Sequence, residues 1–190
     1  MVDRTTERLH LRRFRHDDAR DLAREANHPE VARTLRDRFP HPYTLADARA
    51  WIARAAPESP PTTLAIARRE DDRLIGGIGV ERLADVARLT GEVGYWLGPD
   101  HWGRGYAREA LAAFAAYVFD TFDFERLEAW CFAPNLASRR VLEACGFRLE
   151  GIARRNVVKD GSVLDSCLYA LLRGETAAAA LPCVNGSSRT

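Results

Sequence analysis

A glycine-rich segment with the sequence WGRGYAR lies at residues 102–108, between a β-type run and a helical run. The start of a helix leaves backbone N–H groups without intrahelical acceptors and carries the positive end of the helix dipole. Glycines let such a backbone approach phosphate oxygens closely, so Gly103 and Gly105 predict a pyrophosphate site. The same two glycines could instead form only a tight strand-to-helix turn, and their spacing alone does not decide between the two interpretations.

The common nucleotide motifs do not fit this segment. It lacks the Gly-Lys-Ser/Thr ending of a nucleoside-triphosphate P-loop. No acidic residue that would bind a ribose ends a second strand, as it does in dinucleotide-binding folds. Neither of these two common nucleotide sites therefore matches the segment.

The runs around this segment alternate between strand and helix patterns and indicate an α/β fold. Strands are predicted at residues 9–13, 64–68, 74–81, 90–97, 126–132, 147–154 and 163–172. Helices are predicted at residues 17–27, from Thr44 onward, and at 104–120 and 135–145. The early strands form an antiparallel meander, and the later strand-helix-strand order implies a parallel crossover. A loop at residues 36–42 could overhang a site.

Composition limits the class of protein. A chain of 190 residues suits one buried domain, and 28 Lys and Arg nearly balance 27 Asp and Glu. Global charge therefore predicts no nucleic-acid or membrane-surface partner. The N-terminal run lacks a signal-peptide core, no segment has the length of a membrane span, and the four cysteines show no CxxC spacing. We expect a reduced, cytoplasmic protein.

Three segments in order carry a family resemblance: GEVGYWL at 91–97, PDHWGRGYAREAL at 99–111 and NLASRRVLEACGF at 135–147. Together they resemble the GCN5-related N-acetyltransferase (GNAT) superfamily, specifically its ribosomal-protein alanine and serine N-acetyltransferase branch. The family signature Gln/Arg-x-x-Gly-x-Gly/Ala corresponds to Trp102, Gly105 and Ala107, and tryptophan at the first position is typical of this branch. The resemblance covers about residues 9–172.

The resemblance implies an α/β acyl-CoA N-acyltransferase fold, with a central mixed β-sheet that is splayed at the cofactor site and flanked by helices. It implies one domain at residues 1–173, followed by a tail at 174–190 that we expect to be disordered. A bulge at Gly94 would help to open the strand. The expected partner is acetyl-CoA, which serves as the acetyl donor.

The same resemblance assigns the cofactor contacts. Backbone amides of the glycine-rich segment would cradle the pyrophosphate, the strand before it would pair with the pantetheine arm, and an asparagine would contact that arm. The residues assigned in this way are Tyr95, Trp96, Leu97, Trp102, Gly103, Arg104, Gly105, Tyr106, Ala107, Arg108 and Asn135.

Two side chains are candidates for the chemistry. A primary amine attacks a thioester only when neutral, so a base is needed, and Glu92 matches the family's strand glutamate. Ser138 matches the hydroxyl residue near the thioester sulfur and could donate to the departing thiolate. Alternatively, Glu92 is a strand residue paired with a surface arginine and Ser138 is a helix-capping serine. Phe39 and Tyr43 would line the acceptor entrance, or belong to the core.

The expected reaction is direct acetyl transfer within a ternary complex, because no cysteine has a convincing nucleophile context. A protein N-terminal α-amine is the leading acceptor. A small amine such as a polyamine, an amino acid or an antibiotic is the alternative, as is a CoA-binding regulatory module without catalysis. Histidines at metal-ligand spacing are not found, so no metal is expected. The protein is expected to be a monomer or a homodimer.

Overall fold

The computed structural model describes residues 4–175, which contain eight strands and five α-helices. The strands are β1 (Arg4–Thr5), β2 (Leu9–Arg12), β3 (Thr63–Arg68), β4 (Leu74–Arg82), β5 (Thr90–Leu97), β6 (Arg126–Phe132), β7 (Arg148–Lys159) and β8 (Ser162–Leu172). The helices are α1 (Ala19–Ala26), α2 (Pro29–Ala32), α3 (Leu45–Ala55), α4 (Tyr106–Thr121) and α5 (Leu136–Ala144).

The strands form one mixed sheet in the order β1-β2-β3-β4-β5-β6-β8-β7. Strands β1 to β5 are antiparallel neighbours, whereas β5 and β6 are parallel and are joined by α4. Strand β8 then pairs antiparallel with both β6 and β7. The predicted meander, the parallel crossover and the α/β class are confirmed.

The sheet is splayed between its two parallel strands. Only three register pairs join β5 to β6, from Thr90 with Arg126 to Glu92 with Glu128. On the other side, β5 stays paired with β4 along its length, from Gly91 to Leu97. A gap therefore opens between β5 and β6 beyond Glu92, as the resemblance implies.

The bulge expected at Gly94 is not observed. Gly94 is in register with Gly79 of β4, and the pairing of these two strands has no shift. Beyond Glu92, β5 stays paired with β4 and β6 stays paired with β8, and the gap lies between these two pairs. The strand departs from its parallel neighbour as a regular strand.

Helices cover both faces of the sheet. The predicted apolar stripe of α4 is buried on one face, where Leu111, Phe114 and Val118 belong to a large core cluster with strand residues. On the other face, α1 and α3 bury Leu22 and Ile52 in a second cluster. Helix α3 begins as predicted, because Thr44 and Asp47 form a reciprocal capping box.

The largest departure from the predicted elements is the length of β7. It extends to Lys159, five residues beyond the predicted end at residue 154. The pairing with β8 shifts between Ala153 and Val157, and Arg155 in this irregular stretch has a φ of 52°. This shift marks a bulge that continues the hairpin rather than ending it. The predicted tail lies outside the described residues, apart from Gly174 and Glu175.

Candidate active site

The glycine-rich loop has the backbone that an anion site requires. Gly103 and Gly105 have φ values of +71° and +79°, a region that favours glycine. Gly105 is the N-cap of α4, and no side chain caps this helix. Its first amides, at residues 106–108, therefore point out of the helix without intrahelical acceptors. Arg104 and Arg108 are exposed on this segment and add positive charge.

Side-chain hydrogen bonds hold the loop at both ends. The indole N–H of Trp102 donates to the carbonyl of Leu97 at 2.8 Å, which ties the loop to the end of β5. The Arg8 guanidinium donates to the carbonyl of Arg104 at 2.8 Å and forms an ion pair with Glu109 in the first turn of α4. Arg8 and Glu109 were not among the predicted site residues, because they come from distant parts of the chain.

The carboxylate of Glu109 would repel a phosphate if it were not neutralised. Burial opposes its ionisation, but hydrogen bonds from Thr6 and Arg8 outweigh burial and hold the pKa of Glu109 below its usual value. Glu109 is therefore an ionised anchor for the Arg8 guanidinium. It keeps the N-terminus of α4 fixed against the turn between β1 and β2.

The backbone of β5 offers free hydrogen-bonding groups to the gap. The amide of Gly98 donates to Ile75, and the carbonyl of Thr90 accepts from Leu83, so even-numbered residues hydrogen-bond to β4. In an antiparallel strand the odd-numbered residues then direct their N–H and C=O groups to the opposite side. The last pair with β6, Glu92 with Glu128, engages the N–H of Val93. The carbonyl of Val93 and both backbone groups of Tyr95 therefore face the gap.

The other two residues predicted on this strand are placed differently. The carbonyl of Leu97 already accepts from Trp102, so it is engaged by the loop. Trp96 directs its backbone toward β4, and its ring packs edge-on against Phe39 at 5.6 Å on the far face of the sheet. The strand edge that could receive an extended ligand thus consists of Val93 and Tyr95.

A polar corner closes the α5 side of the gap. Asn135 is the N-cap of α5, and its Oδ1 accepts from the amide of Ser138 at 3.1 Å. The hydroxyl groups of Tyr95 and Ser138 are 3.0 Å apart. Burial raises the pKa of Tyr95 above its usual value, so the phenol is neutral. The structure thus brings three of the predicted residues together.

The thiols near this corner are not activated. Cys131, Cys145 and Cys167 are buried and free. Burial raises the pKa of Cys131 to about 12 and that of Cys145 to about 11, so both are protonated at neutral pH. This environment is typical of structural cysteines and not of nucleophiles.

Glu92 lies on the opposite face of β5, at the point where the gap begins. It forms an ion pair with Arg36, and its register partners are Glu81 on β4 and Glu128 on β6. The three carboxylates thus form a row across one face of the sheet. Burial raises the pKa of Glu92, and the charges of Glu128 and Glu81 add to this, while Arg36 opposes it. Glu92 therefore binds a proton more strongly than an exposed glutamate.

The wall above this face comes from the loop at residues 33–43. Phe39 lines a cavity of about 350 Å³ between α2, this loop and the β7–β8 turn. The loop meets that turn where Lys159, with a side chain only 9% exposed, donates to Asp37 at 2.7 Å. Tyr43, by contrast, is buried in the α1–α3 core, and its amide donates to Asn27.

Two further residues of β6 face the same side as Glu92. Glu128 and Trp130 share a face because they are two positions apart, and Trp130 is 39% exposed beside the gap. Neither was predicted as a site residue. The alternation Arg-Leu-Glu-Ala-Trp in β6 signals a common face, but only the strand order places that face next to Glu92.

Residues 4–175 contain neither a candidate metal site nor a helix that could span a membrane. Within that range, no group of three or more His, Cys, Asp or Glu side chains could hold a metal ion. The helices in the same range are too short or too polar to cross a membrane.

A mixed sheet splayed between parallel strands, with an uncapped glycine-rich helix start at the opening, is the architecture that the family resemblance implies. Residues 8–148 match the family model described as the acetyltransferase (GNAT) domain. The chain therefore belongs to the GNAT family and is an N-acetyltransferase.

The chain is similar to several bacterial proteins. It is 31% identical over 173 residues to the uncharacterized N-acetyltransferase p20 of Bacillus licheniformis, covering 90% of this chain and 97% of p20. It is 35% identical over 108 residues to the uncharacterized N-acetyltransferase YoaA of Bacillus subtilis, and that match spans 57% of this chain and 60% of YoaA. A GNAT-family acetyltransferase structure from Bacillus anthracis superimposes with a TM-score of 0.80 at 24% identity, covering 90% and 99% of the two chains.

Other relatives carry ribosomal or cofactor names. The putative ribosomal N-acetyltransferase YdaF of Bacillus subtilis is 32% identical over 105 residues, which is 55% of this chain and 57% of YdaF. Mycobacterium smegmatis RimJ in complex with CoA-disulfide has a TM-score of 0.75 at 24% identity, covering 88% and 83% of the chains. The acetyltransferase MccE in complex with acetyl-CoA and AMP has a TM-score of 0.74 at 20% identity, covering 88% and 93%.

Proposed function

We propose that this protein transfers an acetyl group from acetyl-CoA to a primary amine by direct attack in a ternary complex. The observation that carries the proposal is the gap between β5 and β6. It is bordered by the glycine-rich loop and Ser138 on one side and by Glu92 on the other. A thioester in the gap is therefore reachable from the Glu92 face.

The cofactor would bind mainly to backbone. The uncapped amides at residues 103–108 and the dipole of α4 suit the pyrophosphate, and Trp102 holds this loop in place. The pantetheine arm would pair with the free C=O group of Val93 and with the N–H and C=O groups of Tyr95, as an added strand does. Asn135 uses its oxygen to cap α5, so its amide N–H₂ group is the part that would contact the arm.

Glu92 would act as the base, directly or through a water molecule. An α-amine titrates near 8 and is mostly protonated at neutral pH, so a carboxylate with a raised pKa is a suitable proton acceptor. The neutral amine then attacks the carbonyl carbon, and the N–H of Tyr95 would donate to the oxyanion. The attacking nitrogen gives its second proton to solvent, so that a neutral amide forms. The C–S bond breaks, and the Ser138 hydroxyl would donate a hydrogen bond to the thiolate.

Arg36 occupies the position that a cationic acceptor would take. Its guanidinium is paired with Glu92 and comes from the loop at residues 33–43. An acceptor ammonium that approaches Glu92 would displace Arg36 and form an ion pair with Glu92 in its place. The loop would therefore move before the acceptor binds.

We propose a protein N-terminal α-amine as the principal acceptor, with ribosomal proteins as the model substrates. The support is the chain's similarity to YdaF, named as a putative ribosomal N-acetyltransferase, and its fold similarity to RimJ. The proposed domain spans residues 1–173. A cytoplasmic location would suit such acceptors.

A small polycationic amine is the second candidate, and a specific observation favours it. The carboxylates of Glu81, Glu92 and Glu128 lie in one row, with the exposed ring of Trp130 beside it. Carboxylates and an aromatic face are the groups that bind ammonium ions. An acceptor with several amines, such as a polyamine, would match this row.

The test is an acceptor screen with the full chain and acetyl-CoA. Free thiol release is measured with peptides that begin in Ala, Ser or Met, with the same peptides N-terminally blocked, and with spermidine, putrescine and free amino acids. Mass spectrometry locates the acetyl group. Modification of the peptide α-amine supports the principal proposal, and modification of a polyamine supports the second.

Two other outcomes would contradict the proposal. Acetyl-CoA binding with no transfer to any acceptor would indicate a regulatory module. No acetyl-CoA binding at all would remove the proposed reaction. Glu92→Gln serves as the control, since it should bind the cofactor and release thiol slowly with every acceptor.

A further inference from the structure

The Tyr95 side chain enters the proposed site through its hydroxyl group. Both hydrogen-bond contacts that the structure gives this hydroxyl are to Ser138, at 3.0 Å to the serine Oγ and at 3.3 Å to the serine carbonyl oxygen. The Tyr95 ring packs against the core under α4 and α5. A buried aromatic ring thus holds a hydroxyl against the first turn of α5.

These two contacts permit two arrangements of the protons. A phenol has one proton, which can be donated to the Ser138 carbonyl or to the Ser138 Oγ. In the first arrangement the serine donates its own proton to the phenol oxygen, so both hydroxyl protons are used within the pair. In the second, the serine proton is free to point elsewhere.

The backbone of Ser138 is fixed while its hydroxyl can turn. The amide of Ser138 donates to the Oδ1 of Asn135 at 3.1 Å, which anchors the first turn of the helix. Within residues 4–175, the Ser138 Oγ has a hydrogen-bond contact only with Tyr95. Rotation of two hydroxyl groups is therefore enough to change from one arrangement to the other.

We infer that Tyr95 is a positioning residue that directs the Ser138 proton toward the sulfur of the departing thiolate. As the C–S bond lengthens, the phenol proton turns from the Ser138 carbonyl to the Ser138 Oγ, and the serine then donates to the sulfur. The inference rests on the proposed acetyl transfer and adds a residue to it.

The step is balanced without proton transfer from tyrosine. The nitrogen–carbon bond of the amide is already formed, and its nitrogen has lost its surplus proton to solvent. The oxyanion re-forms the carbonyl, the carbon–sulfur bond breaks, and the electron pair of that bond goes to sulfur. The thiolate accepts a hydrogen bond from Ser138, and Tyr95 stays a neutral phenol. Burial favours that neutral form, since it raises the pKa of Tyr95 above its usual value.

The first test compares Tyr95→Phe with a matched tyrosine. Tyr117 lies on α4, outside the proposed site, and is also buried. Its hydroxyl donates to the carbonyl of Pro61 at 2.8 Å. For Tyr95→Phe we expect kcat to fall about tenfold, the equivalent of one hydrogen bond. The Kd for acetyl-CoA should stay unchanged. Tyr117→Phe should lose stability at most and keep its kcat.

The second test is a double-mutant cycle with Ser138→Ala. If Tyr95 acts through Ser138, adding Tyr95→Phe to Ser138→Ala should lower kcat by less than about twofold. Full tenfold losses in both backgrounds would overturn the inference. So would a Tyr95→Phe variant with the kcat of the parent.

A change of leaving group gives a readout that a folding defect would not produce. With an acetyl aryl thioester, the leaving thiol is more acidic and needs less stabilisation. The ratio of the parent kcat to the Tyr95→Phe kcat should therefore fall from about ten toward one. The ratio of the two donors' rates within one variant does not depend on the folded fraction. An equal deficit with both donors would overturn the inference. If the parent protein transfers no acetyl group from acetyl-CoA, the proposed function fails instead.

Discussion

The two sides of the β5–β6 gap present different chemical groups, backbone groups on one side and side chains on the other. On the proposed cofactor side, the groups that would face the ligand are mostly backbone amides and carbonyls, at residues 103–108 and at Val93 and Tyr95. On the acceptor side, they are side chains from separate elements, with Arg36 from a loop, Glu92 from β5 and Trp130 from β6. The first side therefore depends on the path of the backbone, and the second depends on the identity of its side chains.

This difference also separates the energetics of the two sides. Backbone groups at a helix start need no side-chain ordering, so they form a preorganised anion site. Charged side chains on the acceptor side pair with one another and must exchange partners when a ligand enters. Substitutions that distort the backbone on the cofactor side should therefore weaken binding, whereas substitutions on the acceptor side should change rates, pH dependence or selectivity.

Gly105→Val should have the largest effect. Its φ of +79° disfavours a β-branched residue, and an added Cβ would lie 3.3 Å from Nη2 of Arg8, which supports the loop. We expect the affinity for acetyl-CoA to fall about 100-fold, because strain of ~2 kcal/mol adds to the loss of phosphate contacts. Calorimetric titration measures this.

Gly174→Val is the matched control for backbone strain. Gly174 has a φ of +90°, it follows β8, and nothing lies within 4 Å of the position that an added Cβ would take. It should lose stability and keep its affinity for acetyl-CoA. Equal affinities for the Gly105 and Gly174 variants would contradict the phosphate role of the loop.

Glu92→Gln should separate binding from turnover. We expect kcat to fall about 100-fold, a typical loss for a general base, while the Kd for acetyl-CoA changes less than twofold. Stopped-time thiol release measures kcat, and calorimetry measures the Kd for acetyl-CoA. Glu70→Gln, in the exposed β3–β4 turn, controls for the removal of a negative charge. A Glu92 variant with the turnover of the Glu70 variant would remove Glu92 as the base.

Arg36→Gln should shift the pH profile. The charge of Arg36 lowers the pKa of Glu92 against the effect of burial, so its removal raises that pKa further. Glu92 must be ionised to accept a proton, and the acid limb of kcat/KM should therefore move to higher pH. Arg20→Gln, exposed on α1, is the control. A limb that stays in place or moves to lower pH would show that Arg36 does not act on the base.

Trp130→Ala should have the smallest effect of this set. Loss of one partly exposed cation–π contact of ~0.5–1 kcal/mol corresponds to about a two- to fivefold rise in KM for a cationic acceptor. Trp130→Phe should recover most of this loss, and acetyl-CoA binding should not change. An equal rise in KM for uncharged acceptors would show that the ring has no role in cation recognition.

Most of the fold could be predicted from the sequence. Strands β5 and β6 have the predicted bounds, and the Thr44 capping box and the buried face of α4 are as expected. These features depend on local periodicity and end signals, which lie within a few residues of each other. The short helix α2 was missed, and so was the continuation of β7 past residue 154, which depends on its pairing with β8.

The cofactor side was more predictable than the acceptor side for the same reason. The glycines, Asn135 and Ser138 lie in contiguous motifs whose spacing is visible in the chain. The row of Glu81, Glu92 and Glu128 depends on strand register, and the position of Arg36 depends on the path of a loop. Neither the strand register nor the path of the loop can be predicted from the spacing of residues along the sequence. Placing Trp96 and Tyr43 required knowing which face each side chain takes.

The open edge of β5 is the central claim, and hydrogen exchange of its backbone amides tests it most directly. The amide of Tyr95 faces the gap, whereas β3 is paired on both of its edges. Addition of acetyl-CoA should slow exchange in peptides that span residues 91–97 and leave peptides from β3 unchanged. Saturating acetyl-CoA with no slowing at residues 91–97 would contradict the account.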